Sequence, residues 1–196
     1  MKIIGITGGV GAGKSEILSY LQATYHARVL LADVVANELK APGQACYEPI
    51  IALLGKEILA DDGTIDNRKM AQAMFGNEEM RAAVGNIIHP AVRQVIERRI
   101  EEARAVDAEL FFLEAALLIE EKYDEIVDEM WYIYTSEAVR KKRLRESRGY
   151  SDEKITAIMD SQLSEASFRA ACDFVIDNSY SLEETKKQID RKMGEL

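Results

Sequence analysis

Eight residues, Gly8-Gly9-Val10-Gly11-Ala12-Gly13-Lys14-Ser15, restrict the folds open to this chain more than any other stretch. They follow the apolar run "KIIGI" at 2–6 and precede the amphipathic "KSEILSYLQATY". The reading is strand, tight loop, helix. Glycines let backbone N–H groups converge on oxygen atoms without side-chain obstruction. A helix opening at Lys14 turns the positive end of its dipole on the same point. The G-x-x-x-x-G-K-[ST] spacing in that context predicts a phosphate-binding loop for a nucleoside triphosphate. Gly9, Val10, Gly11, Ala12, Gly13, Lys14, Ser15 and Glu16 are its expected ATP-binding residues. Lys14 is expected to reach the β- and γ-phosphates, and the Ser15 hydroxyl to ligate Mg²⁺.

Four further apolar runs follow the first: "RVLLA" (28–32), "ELFFLE" (109–114), "MWYIY" (130–134) and "FVID" (174–177). They are nearly continuous rather than alternating, which suits strands covered on both faces of a parallel sheet. Helical patterns separate them. The predicted class is α/β, a three-layer P-loop kinase fold with a five-stranded parallel sheet flanked by helices. Residues 40–106 contain no convincing strand and read as a helical insertion, so the nucleotide-binding core is expected over 1–39 and 107–196. Pro90, directly after His89, predicts the first turn of a helix, where proline is tolerated. Ser181 followed by Glu184 is a capping-box pattern for a last helix.

Composition narrows the partners. The net charge of −9 over 196 residues argues against a nucleic-acid binder. Cys46 and Cys172 lie far apart and have no metal-ligand spacing around them, and the chain's other soft ligands are two histidines. No stretch has the length of a membrane span, and Lys2–Ile6 is too short an apolar run for a signal peptide. A cytoplasmic protein with no membrane partner is expected.

The loop does not say where the terminal phosphate goes. The chain contains no NKxD base-reading motif of the kind a GTPase switch needs. A small kinase with an acceptor pocket fits better. Asp33 ends "VLLAD", where a strand's carboxyl end meets the ligand crevice of open α/β sheets. It could take the proton of an attacking hydroxyl or cap the helix "VVANELK"; position alone weighs the two equally. Glu114 ends the third run similarly, as a group that positions the acceptor or a magnesium-bound water, or as the partner of a basic side chain. In "VRKKRLRESRGY" (139–150), six of the nine residues from Arg140 to Arg148 are basic. Arg140 and Arg143 fall on adjacent turns of one helical face. They could close over a triphosphate and exclude water, or form a solvated basic face.

With these features in place, the chain resembles the dephospho-CoA kinases essentially end to end. The resemblance is carried by "ITGGVGAGKS", Ala32-Asp33, "APGQACYEPI", "ILADDGTIDNRKM", "IIHPAVR", "LLIE", "VDEMWYIY", "SQL" and "VIDNSYSLEE". It implies that ATP, with Mg²⁺, phosphorylates the ribose 3′-hydroxyl of dephospho-CoA, the last step of coenzyme A synthesis. It implies Asp33 as catalytic base, with Lys14 and Arg140 beside it in the catalytic set and Arg143 on ATP. The insertion becomes the CoA-binding domain, with His89, Arg93 and Glu114 near the acceptor. Residues about 138–165 become a lid, and Asp177 and Asn178 lie beside adenine. Several positions depart from the family's usual pattern. Leu31 stands for an aspartate, Glu114 begins a segment without the usual proline and phenylalanine, and Ile158 and Ala171 stand where arginines are common. A kinase of another small alcohol is the alternative, and a nucleotide-dependent regulator without turnover is a third reading.

Overall fold

The computed structural model describes residues 1–196. Along the chain run β1 (Lys2–Thr7), α1 (Lys14–Tyr25), β2 (Arg28–Leu31), α2 (Ala32–Leu39), α3 (Tyr47–Leu54), α4 (Asn67–Ala73) and α5 (Glu78–Arg104). There follow β3 (Leu110–Glu114), β4 (Glu129–Tyr134), α6 (Glu137–Arg148), α7 (Asp152–Asp160), α8 (Glu165–Ala171), β5 (Phe174–Asp177) and α9 (Leu182–Met193). The chain divides into two compact units, one of Met1–Leu30 with Ala103–Leu196 and one of Leu31–Glu102.

The predicted five-stranded parallel sheet is present, in the order β2-β3-β1-β4-β5. In register, Ile4 pairs with Phe112 on one side of β1, and Ile6 with Trp131 on the other. Tyr132 pairs with Val175 at the β4–β5 seam. The central strands are buried on both faces along almost their whole length, whereas the edge strand β2 is only half-buried. That accounts for the unbroken apolar runs in the middle of the sheet. Trp131 is fully buried and meets Phe112 and Phe174 edge-on, at centroid distances of 5.6 and 5.4 Å. The last helix, α9, starts with the expected capping box, Ser181 and Glu184 each accepting from the other's backbone N–H.

The unit Leu31–Glu102 is helical, apart from a tight turn in which Ala60 N–H donates to Thr64 and Leu59 bridges Ile65. Asp66 caps α4 by accepting from the N–H groups of Arg68 and Lys69. Its long helix corrects one expectation. Helix α5 starts at Glu78, and Pro90 lies inside it rather than in its first turn. The start signal is Asn77, whose side chain accepts from the Met80 N–H at 2.9 Å. An interior proline forfeits one helical hydrogen bond at a cost of about 3 kcal/mol. Val84 precedes the proline, while Val92, Ile96 and Ile100 follow it, all buried at helical spacing. Burial of that stripe carries the helix across the interruption.

Candidate active site

The phosphate loop leaves β1 at Thr7 and enters α1 at Lys14. Gly13 caps the helix at φ 88°, a left-handed conformation that an L side chain resists, and no side chain occupies the capping position. The first N–H groups of α1 therefore have no side-chain cap and face an incoming anion. Lys14 folds back along the loop. Its Nζ donates to the Gly8 carbonyl at 2.7 Å and lies 3.4 Å from Glu114 Oε1 at the end of β3. Glu114 thus has the basic partner that one of its two readings required. Ser15 and Glu16, in the first turn, are exposed.

The loop is clamped from one side through a single oxygen. The Ala12 carbonyl accepts from Thr135 Oγ1 at 3.0 Å, Asn178 Nδ2 at 2.7 Å and Arg143 Nη1 at 3.4 Å. Asn178 is 2% exposed, and its remaining oxygen accepts from Thr185 Oγ1 at 2.9 Å. Its side chain is committed to holding the loop. Arg143 also donates through Nη2 to the Asn178 carbonyl at 3.0 Å. Neighbouring Asp177 accepts from the Ser179 N–H, which shapes the turn after β5.

Arg140 and Arg143 both project from α6 onto the loop, as their spacing on one helical face requires. Arg140 donates from Nε to the Val10 carbonyl at 2.9 Å and from Nη2 to Gln162 Oε1 at 2.6 Å. Its guanidinium lies against Gly9, where a β-carbon would collide with it. Burial pushes Arg140 below the usual guanidinium value, the charges of Tyr132 and Glu137 opposing that only in part. Both guanidiniums are held here by neutral oxygens. Two cations beside a loop of this form, held by neutral oxygens rather than by ion pairs, suit a polyanion.

In the other unit, Asp33 lies exposed in the first turn of α2. It does not cap that helix. The N-cap is Leu31, one residue before α2 begins, and no side chain caps the turn. The carboxylate is therefore not committed to a structural hydrogen bond of that kind. Lys40, two turns on, is half-buried, and burial lowers its pKa against the raising effect of Asp33. His89 and Arg93 stand four residues apart on α5 and share a face. His89 packs over Gly85, and Arg93 pairs with Glu97 at 3.1 Å. No cluster of three or more histidine, cysteine or acidic side chains could hold a metal ion by itself.

Sequence reasoning did not single out Thr135, Gln162 and Thr185, which grip the loop or its partners. Gln162 stands in the quoted "SQL", but a lone glutamine or threonine carries no local signal of such a contact. Their partners lie 123, 152 and 7 positions away.

The sequence model described as dephospho-CoA kinase matches residues 2–184. The chain belongs to the dephospho-CoA kinase family. Among curated dephospho-CoA kinases, that of Carboxydothermus hydrogenoformans is 36% identical over 189 residues, covering 96% of this chain and 91% of its own. That of Streptococcus mutans is 34% identical over 195 residues, covering 100% and 98%. A Thermus thermophilus crystal structure superposes with a TM-score of 0.85 at 28% identity, covering 100% of this chain and 97% of that one. Dephospho-CoA kinase from Campylobacter jejuni, at 23% identity and a TM-score of 0.74, shares the fold over 100% of this chain and 97% of its own.

Proposed function

We propose that this protein transfers the γ-phosphoryl group of ATP to the ribose 3′-hydroxyl of dephospho-CoA, giving ADP and coenzyme A. The observation that carries the reading is the pair of guanidiniums, Arg140 and Arg143, held by neutral oxygens on the phosphate loop of a dephospho-CoA kinase family member.

In the transfer, the acceptor oxygen forms a bond to the γ-phosphorus while the bond from that phosphorus to the β–γ bridging oxygen breaks. The loop N–H groups and Lys14 hold the β- and γ-phosphates, and Lys14 exchanges its contact with Gly8 for phosphate oxygen. Arg140 stabilises the charge that spreads over the transferring group, and Arg143 steadies the nucleotide. Asp33 accepts the proton of the 3′-hydroxyl. The exposed Ser15 hydroxyl, on the first turn of α1, suits Mg²⁺, which keeps most of its shell from water and phosphate and needs no protein cage. Bound there with the nucleotide, the ion would neutralise phosphate charge. The helical insertion, residues 40–106, carries the acceptor, with His89 and Arg93 on its recognition face and Glu114 on the acceptor side. Residues about 138–165 serve as a lid that keeps water from the phosphoryl group. Asp177 and Asn178 shape the nucleotide's base end, in a cytoplasmic enzyme.

The test is direct. Purified protein with ATP, Mg²⁺ and dephospho-CoA should release ADP and coenzyme A in equal amounts. A panel of nucleosides, nucleotides and shikimate should give far lower kcat/KM. No coenzyme A formation, or a better acceptor on the panel, overturns the assignment.

A further inference from the structure

The turn after α7 places a neutral side chain inside the phosphate machinery. Ser161 and Gln162 close that helix, the Gln162 N–H donating to Met159 at 3.2 Å, so the backbone from which Gln162 projects is fixed. Its Oε1 accepts from Arg140 Nη2 at 2.6 Å and from the Val10 N–H at 3.3 Å. Arg140 Nε in turn donates to the Val10 carbonyl at 2.9 Å. The three residues form a closed ring that uses both backbone groups of Val10. Both partners of the amide are donors that cannot accept, so the atom they share is its oxygen.

We propose that Gln162 is a positioning residue for phosphoryl transfer, acting through Arg140. This rests on the kinase reading above. An arginine side chain has several rotatable bonds, and its conformers must collapse to one before a guanidinium can meet a transition state. The ring engages Nε and Nη2 of Arg140 and leaves Nη1 as the donor available to an equatorial phosphate oxygen. It also ties the end of α7 to the loop, so that closing the lid and aiming the guanidinium are one event. Misplacement by about 1 Å is enough to cost on the order of 10²-fold in rate. The amide suits this role because it is neutral. A carboxylate at the same place would aim Arg140 equally well and would repel the phosphates.

The experiment compares the full-length protein with Gln162→Met, Gln162→Ala, Arg140→Lys and the double variant Gln162→Met with Arg140→Lys. Methionine keeps the length and packing of glutamine and removes the acceptor. Both Gln162 variants should lower kcat by about 10-fold, with KM for dephospho-CoA changed less than about 2-fold. The double variant should be no slower than Arg140→Lys alone, because Gln162 acts through that side chain. Wild-type kcat in Gln162→Met, or losses that multiply in the double variant, overturns the proposal. Thermal melting identifies a folding defect, and if alanine melts early the methionine variant decides alone. A wild-type protein that makes no coenzyme A sinks the kinase reading instead. In that case fluorescence titration with a labelled ATP analogue still tests the ring: Gln162→Met and Arg140→Lys should weaken binding equally, and unequal or additive losses reject it.

Discussion

The ammonium of Lys14 and the carboxylate of Glu114 stand 3.4 Å apart, each largely buried, at the meeting of the phosphate loop and the end of β3. In the proposed reaction Lys14 leaves this pair for phosphate oxygen. Replacing Lys14 by methionine should cut kcat by roughly 10²–10³-fold, the loss expected for one transition-state donor. It should also destabilise the fold by about 1–2 kcal/mol, because Glu114 keeps its charge without that partner in a partly dry place. Adding Glu114→Gln should restore the melting temperature and leave activity lost. Recovery of both, or of neither, would show that the pair is not organised in this way.

Asp33 bears on chemistry alone if it is the base. Asp33→Asn should lower kcat by about 10²-fold or more and leave ATP affinity nearly unchanged. The residue is exposed and caps nothing, so unfolding stability should shift by no more than about 0.5 kcal/mol. Stopped-flow turnover and a melting curve separate the two effects. An unchanged kcat removes Asp33 from the mechanism.

Asn178 should behave in the opposite way. Its alanine variant loses a buried donor to the Ala12 carbonyl and the acceptor of Thr185. The expected cost is about 2 kcal/mol of stability together with a raised KM for ATP, since the loop loses its shortest tether. Thr185→Val should reproduce part of the effect, because it frees the amide to rotate. A variant as stable as wild type would contradict the tether.

Glu129 sets an acid limit. Burial pushes its carboxyl up, but hydrogen bonds from Lys192 and Trp131 and the charges of Lys192 and Lys2 outweigh burial and hold it below its ordinary value. A carboxylate depressed in the folded state contributes stability above its unfolded value of roughly 4.3 and loses it as pH falls through the folded one. Melting temperatures from pH 7 to pH 3 should therefore fall less steeply in Glu129→Gln than in wild type. Parallel curves would rule the contribution out.

Much of this protein was legible before any coordinates. The loop, the five strands and the capping box of α9 are local: each depends on residues within one turn or one run, and the chain carries those neighbours wherever it goes. Pro90 shows where local reasoning stops, since its rule describes an isolated helix and the buried stripe of α5 overrides it. Asp33 shows the same at a helix start, where a good capping residue falls two residues past the cap position.

By itself the sequence determined the class of fold, the polyphosphate site and the family, because backbone chemistry and side-chain periodicity are written in adjacent letters. Only the tertiary structure decided which side chains hold that site in shape. Lys14 meets Glu114, Asn178 meets Ala12, and Gln162 meets Arg140 and Val10 across separations in the chain that no pattern of neighbours encodes. Hydrogen bonds select partners by distance and direction in space, and those are set only once the sheet has brought the ends of its strands together.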